Sequence, residues 1–245
     1  TAERYDGDDG CGLTASPVRS RTALTLRVQT GCDEHCTYCI IPSTRGPGRS
    51  RPLASVCADI SRAVESGFRE IVVAGVHLGS YGRDFADGTT LEHLVARLAD
   101  WPADVRFRIS SLEPMECSPT LVRLCASSSR VAPHFHLPLQ HGSDRMLRVM
   151  GRPYSVAAYG ALVRDLHAQI PQVSIGTDLI VGFPDETDDD ARQLADLVET
   201  LPLSYLHVFP YSDRPGTVAA AMGSKVPGTV VRERARRLRD IGVAK

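Results

Sequence analysis

The segment "LTLRVQTGCDEHCTYC", residues 24–39, joins an alternating run of residues to three closely spaced cysteines. Residues 24–30 alternate apolar and polar side chains with the period of a β-strand. Cys32, Cys36 and Cys39 follow with the spacing C-x3-C-x2-C. The cysteines therefore come directly after a predicted strand, where the loops of parallel α/β folds build their sites.

Five similar runs follow along the chain, separated by amphipathic stretches of helical period. The six strands are predicted at residues 24–30, 71–78, 105–111, 134–140, 173–181 and 204–209. Helices are predicted at residues 53–66, 90–99, 155–170, 187–200 and 228–243. Strand starts lie roughly 29 to 47 residues apart, which suits right-handed βα units. The pattern predicts an α/β fold with a parallel sheet or barrel.

Each predicted strand has one apolar face and one polar face. In the second strand, Val72 and Val76 are predicted to be buried, and Gly75 and His77 to lie on the polar face. A closed eight-stranded barrel fills its interior with branched aliphatic side chains, and an unpaired polar group there costs a few kcal/mol. Six strands with polar faces instead predict a partly open (β/α)6 barrel whose lumen holds a polar ligand. The alternative is an open twisted sheet with one solvated face.

Composition excludes several classes of protein. The chain has 245 residues, 42% of them hydrophobic, enough to bury a full core. Its seven cysteines are an odd number, and it shows no signal peptide and no apolar run of membrane-spanning length, which predicts a cytoplasmic protein without a membrane partner. The net charge of −1 gives no overall attraction to nucleic acid, so we interpret Arg45, Arg49 and Arg51 as a local phosphate-contacting patch.

The three cysteines favour an iron–sulfur cluster over two other sites. A structural zinc site takes four ligands, and a C-x2-C redox pair leaves Cys32 without a role. Three thiolates on one loop instead hold three corners of a [4Fe-4S] cluster and leave the fourth iron open. The other cysteines in predicted helices or loops, Cys57, Cys117 and Cys125, are interpreted as small buried hydrophobic residues.

With Tyr38 between the last two cysteines, the motif resembles the signature of the radical S-adenosylmethionine (SAM) superfamily. The segments "AGVHLGSYGRD", "RISSLEP", "HLPLQHGSDRMLRVMGRPY", "GTDLIVGFPDETDDD" and "HVFPYSDRPGT" extend the resemblance to the methylthiotransferases, most closely to the MtaB branch that acts on tRNA. These motifs run in order from residue 24 to about residue 222. The resemblance implies a radical SAM barrel, with Cys32, Cys36 and Cys39 binding a [4Fe-4S] cluster and S-adenosylmethionine chelating its open iron.

The resemblance also assigns positions around S-adenosylmethionine. Gly75 is expected to let the cofactor approach the backbone of the second strand. The remaining expected cofactor contacts are Tyr38, Ser110, Glu113 and Asp178. Further histidines on the polar faces are interpreted as structural: His77, His134, His136 and His207.

The acidic run before the helix at residues 187–200 is interpreted as a helix start, not a metal site. Thr187 and Asp190 have the spacing of a capping box. Asp185 departs from the glycine usual in the family, which leaves the turn geometry there open.

The resemblance covers the middle of full-length methylthiotransferases, which gives a predicted division of the chain. Residues 1–20 are expected to be a linker remnant containing Cys11, residues 21–227 the barrel, and residues 228–245 an amphipathic helix leading to an absent TRAM domain. A second [4Fe-4S] cluster is expected only in the missing N-terminal domain.

The function expected from the resemblance is methylthiolation of carbon 2 of N6-threonylcarbamoyladenosine at tRNA position 37. Alternatives within the family are isopentenyladenosine in tRNA or an aspartate of a ribosomal protein. The alternative of another class is a non-catalytic metal-binding module that binds RNA. Expected partners are tRNA and an electron donor such as a flavodoxin or ferredoxin.

Overall fold

The computed structural model describes residues 3–5 and 23–245. The described chain divides into two compact units: unit 1 contains residues 3–5, 23–32, 45–112 and 116–134, and unit 2 contains residues 33–44, 113–115 and 135–245. Most of the predicted linker, including Cys11, lies outside the described residues. Its residues Glu3–Tyr5 form a short strand, β1.

Unit 1 is built on a five-stranded sheet. The strands are β1 at Glu3–Tyr5, β2 at Ala23–Thr30, β3 at Arg49–Ser50, β4 at Glu70–Gly75 and β5 at Arg106–Ile109. The order is β1-β2-β4-β5 with parallel pairing, and β3 pairs antiparallel with β2. The helices are α2 at Leu53–Glu65, α3 at Leu91–Ala99 and α4 at Pro119–Ser127.

Unit 2 is built on a three-stranded sheet. Its strands are β6 at His134–His136, β7 at Ser174–Val181 and β8 at Tyr205–Pro210, in the order β6-β7-β8. The helices are α1 at Ile41–Arg45, α5 at Asp144–Val149, α6 at Val156–Gln169, α7 at Asp188–Thr200 and α8 at Gly228–Val243. All six predicted strands and all five predicted helices are therefore present, with β1, β3 and three short helices added.

The predicted faces of the second strand were wrong. Ile71 and Val73 are fully buried, whereas Val76 is 37% exposed. The run "IVV" is apolar at each position, so period 2 does not choose a face. Pairing with β2 chooses it, because Ile71 and Val73 lie opposite the buried residues Leu24 and Leu26.

Two predicted strands end earlier than expected. Strand β4 stops at Gly75, and Leu78–Ser80 form a 3-10 helix. Strand β6 stops at His136, two residues before Pro138, which has no N–H to donate to a strand partner. Both truncated ends become loops at the carboxyl ends of parallel strands.

The predicted capping box at the start of α7 is confirmed. The Asp190 N–H donates to Thr187 Oγ1 at 3.2 Å, and the Thr187 N–H donates to Asp190 Oδ2 at 2.9 Å. Asp185 adopts the left-handed conformation at φ 66°, where a glycine is easier to accommodate. Its carbonyl oxygen accepts a hydrogen bond from Arg145 at 2.7 Å, which holds the turn.

The described helices include none that combines the length and apolarity needed to cross a membrane.

His141 is a fully buried histidine next to the start of α5. The Ser143 N–H donates to His141 Nδ1 at 3.1 Å, which places the proton on Nε2, and Nε2 has no hydrogen-bond partner among the described residues. Burial lowers the pKa of His141 to about 4; Asp190 opposes this shift, whereas Arg145 and Arg234 reinforce it. The folded protein therefore holds His141 neutral.

This neutral histidine predicts a loss of stability in mild acid. The unfolded chain takes up a proton near pH 6.5 and the folded chain only near pH 4, so stability falls as the pH drops through this window. We expect the free energy of unfolding in urea to fall by about 2 kcal/mol between pH 7 and pH 5 from this residue. His141→Leu should remove that part of the pH dependence, and the exposed His167→Gln should keep it. An unchanged pH dependence in His141→Leu would contradict the assignment.

Candidate active site

Cys32 is placed by a tight turn at the end of β2. Gly31 adopts φ 71°, and the Cys32 N–H donates to the carbonyl oxygen of Gly46 at 3.1 Å. Gln29, only 1% exposed, braces this turn: its Nε2 donates to the carbonyl oxygen of Gly31 at 3.0 Å, and its Oε1 accepts from the His77 N–H at 2.9 Å. The carboxyl ends of β2 and β4 are thus joined by one buried amide side chain.

His77 lies against Cys32. Its Nδ1 is 3.7 Å from Cys32 Sγ, and its Nε2 is 2.7 Å from Glu116 Oε1. Burial lowers the pKa of His77, but hydrogen bonds to Cys32 and Glu116 more than offset this and raise it to about 10. The imidazole is therefore a buried cation between a thiol and a carboxylate. The interpretation of His77 as purely structural missed this contact.

Cys36 and Cys39 lie in unit 2, on a loop bound to the end of α5. The Thr37 N–H donates to the carbonyl oxygen of Met150 at 3.0 Å, and Thr37 Oγ1 donates to that of Val149 at 2.9 Å. The Cys39 N–H donates to the carbonyl oxygen of Cys36 at 3.0 Å, which curls the loop back on itself. The backbone thus fixes where both thiols lie.

Arg152 is the charged neighbour of Cys36. It is 7% exposed, and its Nη1 donates to Cys36 Sγ at 3.0 Å. Its Nη2 pairs with Glu113, and its Nε donates to Tyr154 Oη at 2.9 Å. Burial raises the pKa of the Cys36 thiol, and the Arg152 guanidinium opposes that increase. A thiolate at Cys36 therefore has its counter-ion already in place.

Tyr38 packs in an apolar cluster of unit 2. Its ring meets Phe183 edge-on with centroids 6.2 Å apart, beside the buried Met146 and Met150. Burial raises the pKa of its hydroxyl. The side chain thus holds the cysteine loop against this apolar cluster. The predicted contact between Tyr38 and the cofactor stays a prediction.

Gly75 and Ser110 lie at the ends of β4 and β5. A Cβ on Gly75 would lie 3.0 Å from both Gln29 Oε1 and Leu78 Cα, so glycine is needed for the packing of this turn. Ser110 Oγ is buried and has no hydrogen-bond partner within the described part of the chain. A buried hydroxyl usually has a partner, so Ser110 fits the predicted role of donating to a bound polar molecule.

Asp178 is the centre of a polar network on the face of β7. Its Oδ1 is 3.0 Å from His136 Nε2 and 3.1 Å from His207 Nδ1, and His136 Nδ1 is 3.1 Å from Tyr205 Oη. The prediction placed Asp178 on a polar face, and that placement is confirmed. Because His136 and His207 already contact the carboxylate of Asp178, a cofactor that binds there would share this carboxylate with the two histidines.

The interpretations of Arg51 and of two of the other cysteines need correction. Arg51 pairs with the buried Asp59 and donates to the carbonyl oxygen of Arg27 at 3.3 Å, so it is not part of an exposed phosphate patch, unlike the exposed Arg45 and Arg49. Cys125 is buried as predicted, and burial raises its pKa to about 12.

The other two cysteines interpreted as buried hydrophobic residues, Cys57 and Cys117, are only partly buried.

The sequence interpretation missed three positioning residues: Gln29, Glu116 and Arg152. The charged side chains of Glu116 and Arg152 are almost completely buried. Removing a charge from water is unfavourable, so buried charges are normally paired, as these two are. The available signal was the placement of Arg152 in "GRPY", within a motif already associated with the family.

The sequence profile of the Radical SAM superfamily matches residues 26–198, about 70% of the chain. This chain belongs to the radical SAM superfamily. The match contains the cysteine loop and strands β4, β5, β6 and β7, so every predicted site residue lies inside it.

Relatives and solved structures agree with radical SAM membership. The chain is 39% identical over 216 residues to threonylcarbamoyladenosine tRNA methylthiotransferase MtaB of Aquifex aeolicus, covering 88% of this chain and 52% of that protein. It is 38% identical over 220 residues to tRNA-2-methylthio-N(6)-dimethylallyladenosine synthase of Nitratidesulfovibrio vulgaris, covering 89% and 49%. The radical SAM methyltransferase TsrM of Kitasatospora setae, solved with cobalamin and a [4Fe-4S] cluster, superimposes with a TM-score of 0.66 at 16% identity, over 80% of this chain and 35% of that one.

Three predictions are thereby confirmed: the resemblance to the methylthiotransferases, the radical SAM α/β barrel fold, and the cofactors of the superfamily, a [4Fe-4S] cluster and S-adenosylmethionine. The donor set fits these cofactors, because soft thiolates suit iron–sulfur clusters and the buried hydroxyl of Ser110 has no hydrogen-bond partner among the residues described here. The chain spans about half the length of the two relatives. The second cluster and the domain boundaries stay predictions.

Proposed function

We propose that this chain is the radical SAM core of a tRNA methylthiotransferase that adds a methylthio group to carbon 2 of N6-threonylcarbamoyladenosine at tRNA position 37. The observation that carries the proposal is 39% identity over 88% of the chain to a threonylcarbamoyladenosine tRNA methylthiotransferase. Two further relatives of the same name are 38% and 40% identical. The motif "GVHLGSYGRD" supports the same branch.

In this proposal Cys32, Cys36 and Cys39 hold the cluster, and the backbone at Gly75 and the hydroxyl of Ser110 bind S-adenosylmethionine. The bound cofactors supply one-electron reductive cleavage to methionine and a 5′-deoxyadenosyl radical, which removes the hydrogen from carbon 2 of the base. The protein positions the reactants, because hydrogen transfer requires the 5′ carbon of the radical and carbon 2 of the base to lie within van der Waals reach of each other. The exposed Arg45 and Arg49 are candidate phosphate contacts for the tRNA. A flavodoxin or ferredoxin is the proposed electron donor.

The second candidate substrate is isopentenyladenosine, because relatives named as dimethylallyladenosine synthases are 35% to 38% identical. The two substrates share adenine and differ in the group attached to N6. Sequence identity to the two groups of relatives therefore distinguishes only weakly between the two substrates.

The test is nucleoside analysis of tRNA from a strain that lacks the gene. We expect the 2-methylthio derivative of threonylcarbamoyladenosine to disappear and its unmodified precursor to accumulate. Complementation with the wild-type gene should restore it, and a Cys36→Ala gene should not. Loss of the methylthio derivative of isopentenyladenosine instead would select the second candidate, and unchanged tRNA would refute both.

A further inference from the structure

Two of the three predicted cluster cysteines each have a buried, nitrogen-bearing side chain beside the sulfur, and a glutamate lies against each of these side chains. In unit 2 the order is Glu113, Arg152, Cys36; in unit 1 it is Glu116, His77, Cys32. Among the described residues no side chain donates to Cys39 Sγ. The three thiols therefore have unequal surroundings.

Arg152 is fixed in place on every side. Its guanidinium meets Cys36 Sγ, Glu113 and Tyr154 Oη, and lies over the Tyr154 ring with 5.1 Å between its Cζ and the ring centroid. Tyr154 Oη in turn donates to the carbonyl oxygen of Pro138 at 2.9 Å. The neighbouring Gly151, at φ 73°, approaches the cysteine loop so closely that a Cβ there would lie 3.0 Å from the carbonyl oxygen of His35. A guanidinium held in this way loses little further freedom when it binds the sulfur.

His77 is fixed in a comparable way. Its Nδ1 lies 3.7 Å from Cys32 Sγ, and its Nε2 lies 2.7 Å from Glu116 Oε1. Glu116 also pairs with Arg83 at 2.9 Å. A Cβ on Gly79 would overlap the Glu116 carboxylate at 1.5 Å, so the glycine provides the space in which that carboxylate lies.

Both glutamates come from the single segment "LEPMEC", residues 112–117, three positions apart. The loop after β5 thus provides the carboxylate that lies against each of the two side chains. An isolated buried cation is costly, and an ion pair with good geometry offsets much of that cost. This loop therefore stabilises the buried Arg152 next to Cys36.

We propose that Arg152, through Cys36, and His77, through Cys32, set the reduction potential of the [4Fe-4S] cluster, with Glu113 and Glu116 as the residues that position them. Reduction adds one negative charge to the cluster and its thiolates. Hydrogen bonds and positive charge at the ligand sulfurs stabilise that extra charge, so they raise the midpoint potential. The inference rests on the cluster and on no particular tRNA substrate.

The experiment is an anaerobic redox titration of the reconstituted chain, followed by electron paramagnetic resonance of the reduced cluster, with iron content measured for each variant. We expect Arg152→Met to shift the reduction equilibrium at least tenfold toward the oxidised form, which for a one-electron couple is about 59 mV to lower potential. His77→Gln should shift it in the same direction. Arg152→Lys should shift the potential less than Arg152→Met does, because lysine keeps the positive charge but lacks the planar guanidinium that binds several partners at once.

The matched control is Arg145→Met, which removes another paired arginine of unit 2, one bound to Asp190 and not to a cysteine. Its potential should equal that of the wild type. Because Arg152→Met removes the cation that Glu113 pairs with, the double variant Arg152→Met with Glu113→Gln tests the same shift without the negative charge of that carboxylate. In a double-mutant cycle the shifts of these two substitutions should be non-additive.

A wild-type potential in the fully loaded double variant and in His77→Gln would overturn the inference. That result leaves the proposed function standing, since the cluster is then present. A wild-type chain that binds no cluster would instead refute the proposed function, so the two failures are distinguishable.

Discussion

Replacing any one of Cys32, Cys36 and Cys39 with alanine is expected to abolish the [4Fe-4S] cluster and, with it, all cleavage of S-adenosylmethionine. A four-iron cluster held at three corners loses a third of its protein ligands with each substitution, and the remaining two thiolates do not close the site. The reconstituted wild type should be brown and absorb broadly near roughly 400 nm, as cysteine-ligated clusters do. Each variant should be nearly colourless, with iron content close to background.

The controls are Cys57→Ala and Cys125→Ala. Cys57 lies on α2 and Cys125 on α4, and neither has a cation placed against its sulfur among the described contacts. Cys125→Ala leaves a small cavity and should cost about 1 kcal/mol of stability, without loss of iron. Equal loss of iron in all five variants would show that the loop cysteines are not the ligands.

The sequence predicted the strands well because their patterns are local. Strand β2 alternates apolar and polar residues from Leu24 to Gln29, so the burial of Leu24, Leu26 and Val28 follows from period 2 alone. The buried face of β4 was predicted wrongly, because the run "IVV" contains no polar residue that would mark the exposed face. Its orientation comes from the neighbouring β2, a partner distant in sequence. Secondary structure was thus predictable where the sequence itself carried the period.

The candidate site was predictable to a lesser extent. The cysteine spacing is a local signal, and it identified the loop. Arg152 is 116 residues from Cys36, and His77 is 45 residues from Cys32, so neither contact follows from spacing. Glu113 was predicted to contact the cofactor; the structure shows that its carboxylate is the counter-ion of Arg152. Motif resemblance thus pointed to Glu113 without indicating that its partner is Arg152.

Gly31→Ala is expected to be the most damaging single glycine substitution near the loop. At φ 71° a side chain costs about 1–2 kcal/mol, and a Cβ would lie 1.9 Å from the carbonyl oxygen of Pro47. That oxygen belongs to the backbone, so it yields only if the turn moves, which adds about 1–3 kcal/mol. The movement also breaks the bond from the Cys32 N–H to Gly46. We expect a clear loss of stability in urea together with reduced iron content.

Gly46→Ala is the matched control, since Gly46 has nearly the same φ, 72°, and accepts the hydrogen bond from Cys32. A Cβ there would meet only the Arg49 side chain, at 3.8 Å. The stability of this variant should therefore fall by only about 1–2 kcal/mol, the cost of a side chain on a left-handed backbone, and its iron content should be unchanged. The difference between the two variants isolates the contact with Pro47 from the left-handed backbone that both glycines share. Equal losses in both would mean that the close approach to Pro47 does not position Cys32.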